Sequence, residues 1–181
     1  MRPTVIAVAL TVVAALSPFV APASADCNVS ATEGVSANKK LKVVPKLSGT
    51  FAFLEWDEAK KGFVETAHGT FKFTKNAEHL TAYVPDSGTH FVLFDVYAGL
   101  LVLKKDGTLV KELESADLLT AAEREVRPGR GKGCHPDGSW AKGVAFVSEG
   151  AHAQVTLFND RVIEIDLATG AVVPVEGQKK P

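Results

Sequence analysis

The sequence has few of the residues that build compact chemical sites. Its 181 residues include two cysteines, one methionine and five scattered histidines, at positions 68, 79, 90, 135 and 152. No pair of these histidines has the spacing of a zinc site. A Gly-x-Ser-x-Gly elbow is absent, and so is the ordered acidic spacing of a calcium loop. The sequence therefore predicts no metal, no cofactor and no identifiable catalytic residue.

Charge of one sign and long hydrophobic runs are also lacking. The formal net charge is −1, and acidic and basic residues alternate along the chain. This pattern provides no general attraction to nucleic acid or to an anionic membrane. The longest uncharged apolar run, Val5 to Leu16, is about a dozen residues, whereas a membrane-spanning helix needs about 20. We expect no nucleic-acid partner and no membrane span in the mature chain.

The N-terminal region instead has the pattern of a signal peptide. Arg2 precedes the apolar run, and Ala23-Ser24-Ala25 matches the small-x-small cleavage site. Cleavage after Ala25 would leave a mature chain that begins at Asp26 and is secreted or periplasmic. A lipoprotein interpretation of Cys27 is set aside, because the preceding residue is the charged Asp26.

Both cysteines lie in the predicted mature chain. An even number of cysteines in an exported protein favours a disulfide, here between Cys27 and Cys134. The alternative is a free, reactive Cys134 next to His135. Neighbouring residues rarely present both side chains to one substrate, so the disulfide is the preferred interpretation.

The clearest structural pattern is a strand meander from Tyr83 to Leu113. Apolar runs at His90–Tyr97, Leu100–Leu103 and Leu109–Leu113 are separated by Ala98-Gly99 and by the turn Lys105-Asp106-Gly107-Thr108. Asp-Gly between strand-forming runs is a strong hairpin signal, because glycine adopts positive φ freely. Similar strand and turn patterns precede and follow this segment. They predict an all-β domain of antiparallel meanders.

The domain organisation follows from these patterns. Residues 26–38 form a polar leader, residues 39–175 a single β-rich domain, and residues 176–181 a flexible tail. One short helix, or two linked turns, is expected near residues 115–126. Ser115 is a candidate cap for it, and Thr120-Ala121-Ala122-Glu123 spells a capping box.

Two sets of residues are candidates for ligand binding. The glycine-rich loop with Arg127, Arg130, Lys132 and His135 could cradle an anion, or it could be an exposed connector. Trp56 and Trp140 could form a flat platform for a carbohydrate. Aromatic residues in strands are, however, more often part of a core.

Two stretches of the sequence echo each other. Pro85-Asp86-Ser87-Gly88 and Pro136-Asp137-Gly138-Ser139 both precede groups of short strands, at a period of about fifty residues. Ile163 to Gly170 resembles the outer-strand turn of bacterial propeller repeats. More broadly, Tyr83 to Val173 resembles small exported bacterial proteins of unassigned function. The resemblance implies propeller-blade-like meanders or a sandwich rather than a full propeller, because the chain has room for about three blades and a closed propeller takes four to eight.

These observations favour a non-catalytic exported β module that binds a protein, a glycan or a small ligand through its loops. The alternative is a small exported hydrolase that uses Cys134 and His135 or dispersed carboxylates. Self-association is expected as one way to cover exposed sheet edges.

Overall fold

The computed structural model describes residues 30–74, 79–126, 139–173 and 175. These residues form thirteen strands and two short helices. The strands are β1 (Ser30–Thr32), β2 (Gly34–Val35), β3 (Leu41–Lys46), β4 (Thr50–Asp57), β5 (Gly62–Thr70), β6 (His79–Tyr83), β7 (His90–Asp95), β8 (Gly99–Lys104), β9 (Leu109–Glu114), β10 (Ala141–Val147), β11 (His152–Leu157), β12 (Val162–Asp166) and β13 (Val172–Val173). The helices are α1 (Ser115–Leu118) and α2 (Ala121–Val126).

The strands form three sheets that follow one another along the chain. The first sheet has the order β2-β3-β4-β5, and the third has the order β10-β11-β12-β13. The second sheet, between them, has the order β1-β6-β7-β8-β9, in which β1 pairs with β6 in parallel and the other pairs are antiparallel. Each sheet thus contains a four-strand meander, as a propeller blade does. The all-β fold with blade-like meanders is confirmed.

The second sheet is covered on both of its faces. On β7, Phe91 and Leu93 belong to a core shared with the first sheet, whereas Val92 and Phe94 belong to a core shared with the third. Successive side chains of a strand point to opposite faces, so burial of both faces requires a continuous apolar run. This explains why the segment predicted as a meander is the most apolar part of the domain.

The outer sheets show the complementary pattern. In β4, Phe51 and Phe53 are buried, and the residues between and beside them are partly exposed. In β11, Ala153 and Val155 are buried and alternate with polar residues. Each outer sheet therefore has one face in a core and one face that no other described element covers.

The predicted hairpin turn has the expected conformation. Gly107 has φ of +88°, and the backbone N–H of Lys104 donates to the carbonyl of Thr108 at 2.9 Å. A side chain at Gly107 would also meet the ring of Phe51 at 3.0 Å. Glycine at this position thus serves both the turn and the contact between the first and second sheets.

The predicted polar leader is more ordered than its composition indicates. Residues 30–32 form β1 and pair with β6, and residues 34–35 form β2 and pair with β3. Backbone pairing with two sheets provides the order that the polar side chains do not signal. The strands therefore begin before residue 39, the start predicted for the β-rich domain.

The predicted helical segment is divided into two helices. Ser115 does not cap the first helix. Glu114 occupies the cap position without a side-chain cap hydrogen bond, and Ser115 donates to the carbonyl of Tyr97 at 3.2 Å. The capping box is confirmed, because the Thr120 N–H donates to the Glu123 carboxylate at 2.7 Å and the Glu123 N–H donates to the Thr120 hydroxyl at 3.2 Å.

Glu123 also connects the helices to the third sheet. Arg161, between β11 and β12, donates to both Glu123 carboxylate oxygens at 2.6 and 2.7 Å and to the carbonyl of Leu118 at 2.9 Å. Asn159 donates to Glu123 at 2.8 Å. The Arg161 hydrogen bonds are the main reason that the pKa of Glu123 falls from 4.5 to about 2. This bidentate pair therefore fixes the connection between the second and third sheets.

The Glu123 cluster predicts a specific pH dependence. A folded pKa of about 2 against 4.5 stabilises the protein by about 3 kcal/mol at neutral pH. Because the folded pKa is depressed, this contribution is present above about pH 4.5 and is lost as the pH falls towards 2. We expect Glu123→Gln to lower the free energy of unfolding at pH 7. The deficit relative to the native protein should shrink in denaturant titrations at about pH 2.5.

The control is Glu125→Gln, an exposed position on the same helix, which should change stability by less than about 0.5 kcal/mol. A Glu123→Gln deficit that stays constant from pH 7 to about pH 2.5 would contradict the assigned role.

Candidate functional site

Several of the predicted site residues lie outside the described part of the chain. These are the two cysteines, Cys27 and Cys134, and the anion-loop candidates Arg127, Arg130, Lys132 and His135. The disulfide, the anion loop and the Cys134–His135 alternative therefore stay predictions.

Trp140 is a core residue and does not form a ligand platform. Its side chain is 0% exposed, and its ring lies 5.2 Å from the ring of Phe94. The indole N–H donates to the backbone carbonyl of Asp95 at 2.9 Å. Asp95 is itself buried, and its carboxylate accepts the backbone N–H groups of Tyr97 and Ala98 at 2.9 and 2.7 Å. Trp140 thus joins the third sheet to the end of β7.

Trp56 is accessible, with 37% of its surface exposed. It lies at the end of β4 on the outer side of the first sheet, where its ring packs edge-on against Phe63 at 5.5 Å. The two tryptophans belong to different sheets, and one of them is buried. They do not form the joint platform that the sequence suggested.

The structure brings another set of residues together, around a cavity of about 390 Å³. The cavity lies where the connection from β6 to β7 meets the connections from β10 to β11 and from β12 to β13. Its described lining consists of Ser87, Thr89, His90, Ser148, Glu149, Gly150, Ala151, His152, Asp166 and Ala168. We call it the rim cavity. Its volume lies within the range of small-molecule binding sites, about 300–1,000 Å³.

A strained turn forms one wall of the rim cavity. Ser148, Glu149 and Gly150 have φ of 51°, 55° and 85°, so three successive residues are left-handed and two of them are not glycine. Such a conformation costs about 1–2 kcal/mol for each non-glycine residue. A side chain at Gly150 would meet Pro85 at 2.6 Å and Ser87 at 3.1 Å. Close packing against the second sheet therefore holds the turn in place, as is typical of functional sites.

Carboxylates and imidazoles form the opposite wall and its support. His152 lies 2.6 Å from Glu164 and 4.0 Å from Asp166, measured between its ring nitrogens and their carboxylate oxygens. Gln154 donates to the other oxygen of Glu164 at 2.9 Å. This bond, followed by that of His152, lowers the pKa of Glu164. The pKa of Asp166 is also lowered, first by the backbone N–H of Thr169. Both carboxylates are thus ionised at neutral pH.

His90 contributes a neutral imidazole. Burial is the main cause that lowers its pKa, and the positive charge of Lys104 acts in the same direction. The Thr89 hydroxyl lies 3.1 Å from its Nδ1 atom. At neutral pH this ring can accept one hydrogen bond and donate another.

The chemistry of the rim cavity follows from this inventory. Its described lining contains two carboxylates, two imidazoles and three hydroxyl groups, and no lysine or arginine. Such a surface accepts hydrogen bonds from hydroxyl or ammonium groups and disfavours anions. Within the described residues, no group of three or more His, Cys, Asp or Glu side chains could hold a metal ion.

Sequence patterns did not predict this site. The pattern Ser148-Glu149-Gly150 is typical of an ordinary turn between strands, and His152, Glu164 and Asp166 have the pattern of polar positions on half-exposed strands. The available signal was the polar alternation of β11 and β12, which aligns these three side chains on one face.

A second cavity, of about 720 Å³, opens between the first and second sheets. Core leucines form much of its wall, including Leu80, Leu101 and Leu103, together with the exposed Leu47 and Leu109. It is largely an apolar opening onto the core and lacks a converging set of charged groups among its described lining residues.

The comparisons with known proteins concern the fold. The solved structures that resemble this chain do so partially, with TM-scores below 0.5. The C-terminal WD40 domain of Sif2 has a TM-score of 0.48 and 12% identity, over 80% of this chain and 36% of that chain. BamB from Moraxella catarrhalis has a TM-score of 0.47 and 13% identity, over 78% of this chain and 34% of that chain. This chain thus spans about a third of the length of these proteins. No protein-family model and no curated protein sequence matches it.

The strained turn leads to a prediction about stability. Glycine adopts left-handed φ without a steric penalty, so Glu149→Gly should raise the free energy of unfolding by about 0.5–1 kcal/mol. The matched control is Glu125→Gly in α2, which should lower it by about 0.5–1 kcal/mol. Both values can be measured by urea denaturation. A loss of stability in Glu149→Gly as large as in the control would mean that the turn is not strained.

Proposed function

We propose that this chain is an exported, non-catalytic β module that binds a neutral, hydroxyl-rich ligand, such as a short glycan, in the rim cavity. One observation carries the proposal. A strained, left-handed turn is held by the second sheet against a concave surface of carboxylates, imidazoles and hydroxyls. Strain that is retained next to convergent polar groups is a feature of preorganised binding sites.

The distribution of charge decides the ligand class. The carboxylates of Glu149 and Asp166 accept hydrogen bonds, and the described lining lacks a cation that could bind an anion. Sugar hydroxyls are donors that such carboxylates and the neutral His90 can pair with. Polyamines have the same donor chemistry and are the alternative that an experiment must separate.

A non-catalytic role agrees with the bonding of His152. Its Nδ1 atom is occupied by Glu164, and the Asp166 oxygen Oδ1 accepts two backbone N–H groups, of Ala168 and Thr169, at 2.8 and 2.9 Å. These groups therefore orient one another and hold the turn. The hydrolase alternative uses Cys134 and His135, with a nucleophile from that loop, or dispersed carboxylates.

Export follows from the signal-peptide pattern, which implies a secreted or periplasmic protein that starts at Asp26. Among the described residues, none of the helices is long and apolar enough to cross a membrane. In an oxidising compartment Cys27 and Cys134 would be bridged. The bridge would close a loop of about a hundred residues and stabilise the fold by about 4–5 kcal/mol.

Ligand binding can be tested by following backbone NMR signals of the labelled protein. Chitotriose and cellotriose serve as neutral ligands, spermidine as the cationic one, and sodium sulfate as the anionic one. We expect a neutral sugar to shift the signals of residues 148–152 and 166–168, and sulfate to shift none of them. Glu149→Gln should weaken sugar binding by about 3–10-fold, because a charge-assisted hydrogen bond is replaced by a neutral one of about half its strength. Glu58→Gln, an exposed acid in the turn after β4, is the control.

Binding of spermidine alone would replace the glycan by a cationic ligand. Binding of sulfate at these residues would overturn the proposal, as would sugar-induced shifts confined to the surface around Trp56.

Export and the disulfide can be tested together by intact mass under denaturing, non-reducing conditions, with and without an alkylating reagent. We expect a chain that begins at Asp26, is two hydrogen atoms lighter than its reduced form, and does not react. Complete alkylation would refute the disulfide and would make Cys134 the first residue to replace in a search for hydrolase activity.

A further inference from the structure

The outer sheets each have one face that no other described residue covers. In the first sheet, the pairing of β3, β4 and β5 places five residues with apolar side chains on that face. We call this the first outer face; its residues are Val44, Ala52, Leu54, Trp56 and Phe63. Trp56 is the largest of the exposed hydrophobic side chains among the described residues.

The third sheet has a different surface on its uncovered side, which we call the second outer face. The pairing of β10, β11 and β12 places Ala145, Gln154 and Glu164 side by side on it, with Val147, His152 and Asp166 in the next row. Ala145 on the edge strand β10 is small and exposed. This face therefore has a small residue on β10 and two carboxylates, Glu164 and Asp166, on β12.

These two faces are related in the same way as the faces that already meet inside the chain. Each sheet has a forward face, which points towards the next sheet in chain order, and a backward face, which points towards the previous one. The forward face of the first sheet packs on the backward face of the second, and the forward face of the second packs on the backward face of the third. The second outer face is the forward face of the third sheet, and the first outer face is the backward face of the first sheet. They can therefore stack on each other with the geometry that the chain uses twice.

We propose that the first outer face of one copy stacks on the second outer face of another copy, in both directions, so that two chains form a closed six-sheet ring. Heterologous contacts generate a ring when the rotation closes. Two copies contribute six sheets, within the four to eight blades of closed propellers. The partner of both faces is thus a second copy of this chain.

The charges of the two faces support this pairing. Lys42 and Lys46 alternate with buried residues of β3 and lie on the side of the first outer face. Lys42 also pairs with Glu33 at 2.6 Å and lies over the ring of Phe63 at 5.7 Å. Glu65 on this face has its own partner, His68, at 3.2 Å. The second outer face carries Glu164 and Asp166, so lysines meet carboxylates when the faces stack.

Stacking would also cover the aromatic pair of the first outer face. Trp56 and Phe63 would lie against the small residues of β10. Tryptophan is enriched at the centres of interfaces because it buries a large area.

The test is the molar mass of the exported protein at micromolar concentration, by size exclusion with light scattering. We expect twice the mass of one chain. Trp56→Glu, in the first outer face, and Ala145→Glu, in the second, should each give the monomer mass and weaken dimerisation by at least about tenfold. Leu109→Glu is the control, because Leu109 is an exposed leucine on neither face. It should remain dimeric. Circular dichroism and thermal melting check that each variant is folded, and Trp56→Ala replaces Trp56→Glu if that variant does not fold.

Mixing the two monomeric variants distinguishes the proposed contact from its alternatives. A mixed pair retains one intact contact, between the second outer face of Trp56→Glu and the first outer face of Ala145→Glu. We expect heterodimers in the mixture and none in either sample alone. His152 and Asp166 belong both to the second outer face and to the lining of the rim cavity. The masses are therefore measured without added ligand, so these outcomes do not depend on ligand binding there.

Three results would overturn the proposal. A monomeric native protein at micromolar concentration would do so, including one in which Trp56 is shielded by another part of the same chain. So would an Ala145→Glu variant that stays dimeric, because the first outer faces would then pair with each other. Loss of the dimer in Leu109→Glu would indicate nonspecific apolar association.

Discussion

The structure depends on the burial of the second sheet on both faces. Strands β7 and β8 place alternate side chains in two separate cores, so Leu93 and Val92 are neighbours in sequence but contact different sheets. Neither outer sheet can cover its own apolar face, and each obtains its cover from the second sheet. The three sheets therefore stabilise one another as a stack. The rim cavity lies at the edge of the contact between the second and third sheets.

The surrounding packing holds one wall of the rim cavity in place. Gly150 lies so close to Pro85 and Ser87 of the preceding connection that a side chain at this position would meet both residues. These contacts leave little freedom for the left-handed turn, although the turn is unfavourable in isolation. A polar ligand would thus meet groups that are already oriented, which reduces the conformational entropy lost on binding.

The contact between the second and third sheets combines an apolar core with a charged cluster around Glu123. Glu123 caps its own helix through Thr120 and accepts hydrogen bonds from Arg161, so one carboxylate holds both the helix and the next sheet. The two outer faces differ from each other. The first outer face is apolar with lysines beside it, and the second outer face has small side chains and carboxylates. The two ends of the stack are therefore chemically different.

Local patterns in the sequence determined the strands, the turns and the capping box. Gly107 adopts positive φ because Asp-Gly hairpins require it, and Thr120 and Glu123 are three residues apart, so both features depend on neighbours in the chain. Apolar runs between turn signals likewise predicted β7, β8 and β9. Tertiary structure alone decided that the polar residues 30–32 form β1, that Trp140 is buried while Trp56 is exposed, and that Ser148–Gly150 meets Ser87. Each of these depends on contacts between residues distant in sequence, whose energies appear only when the sheets stack.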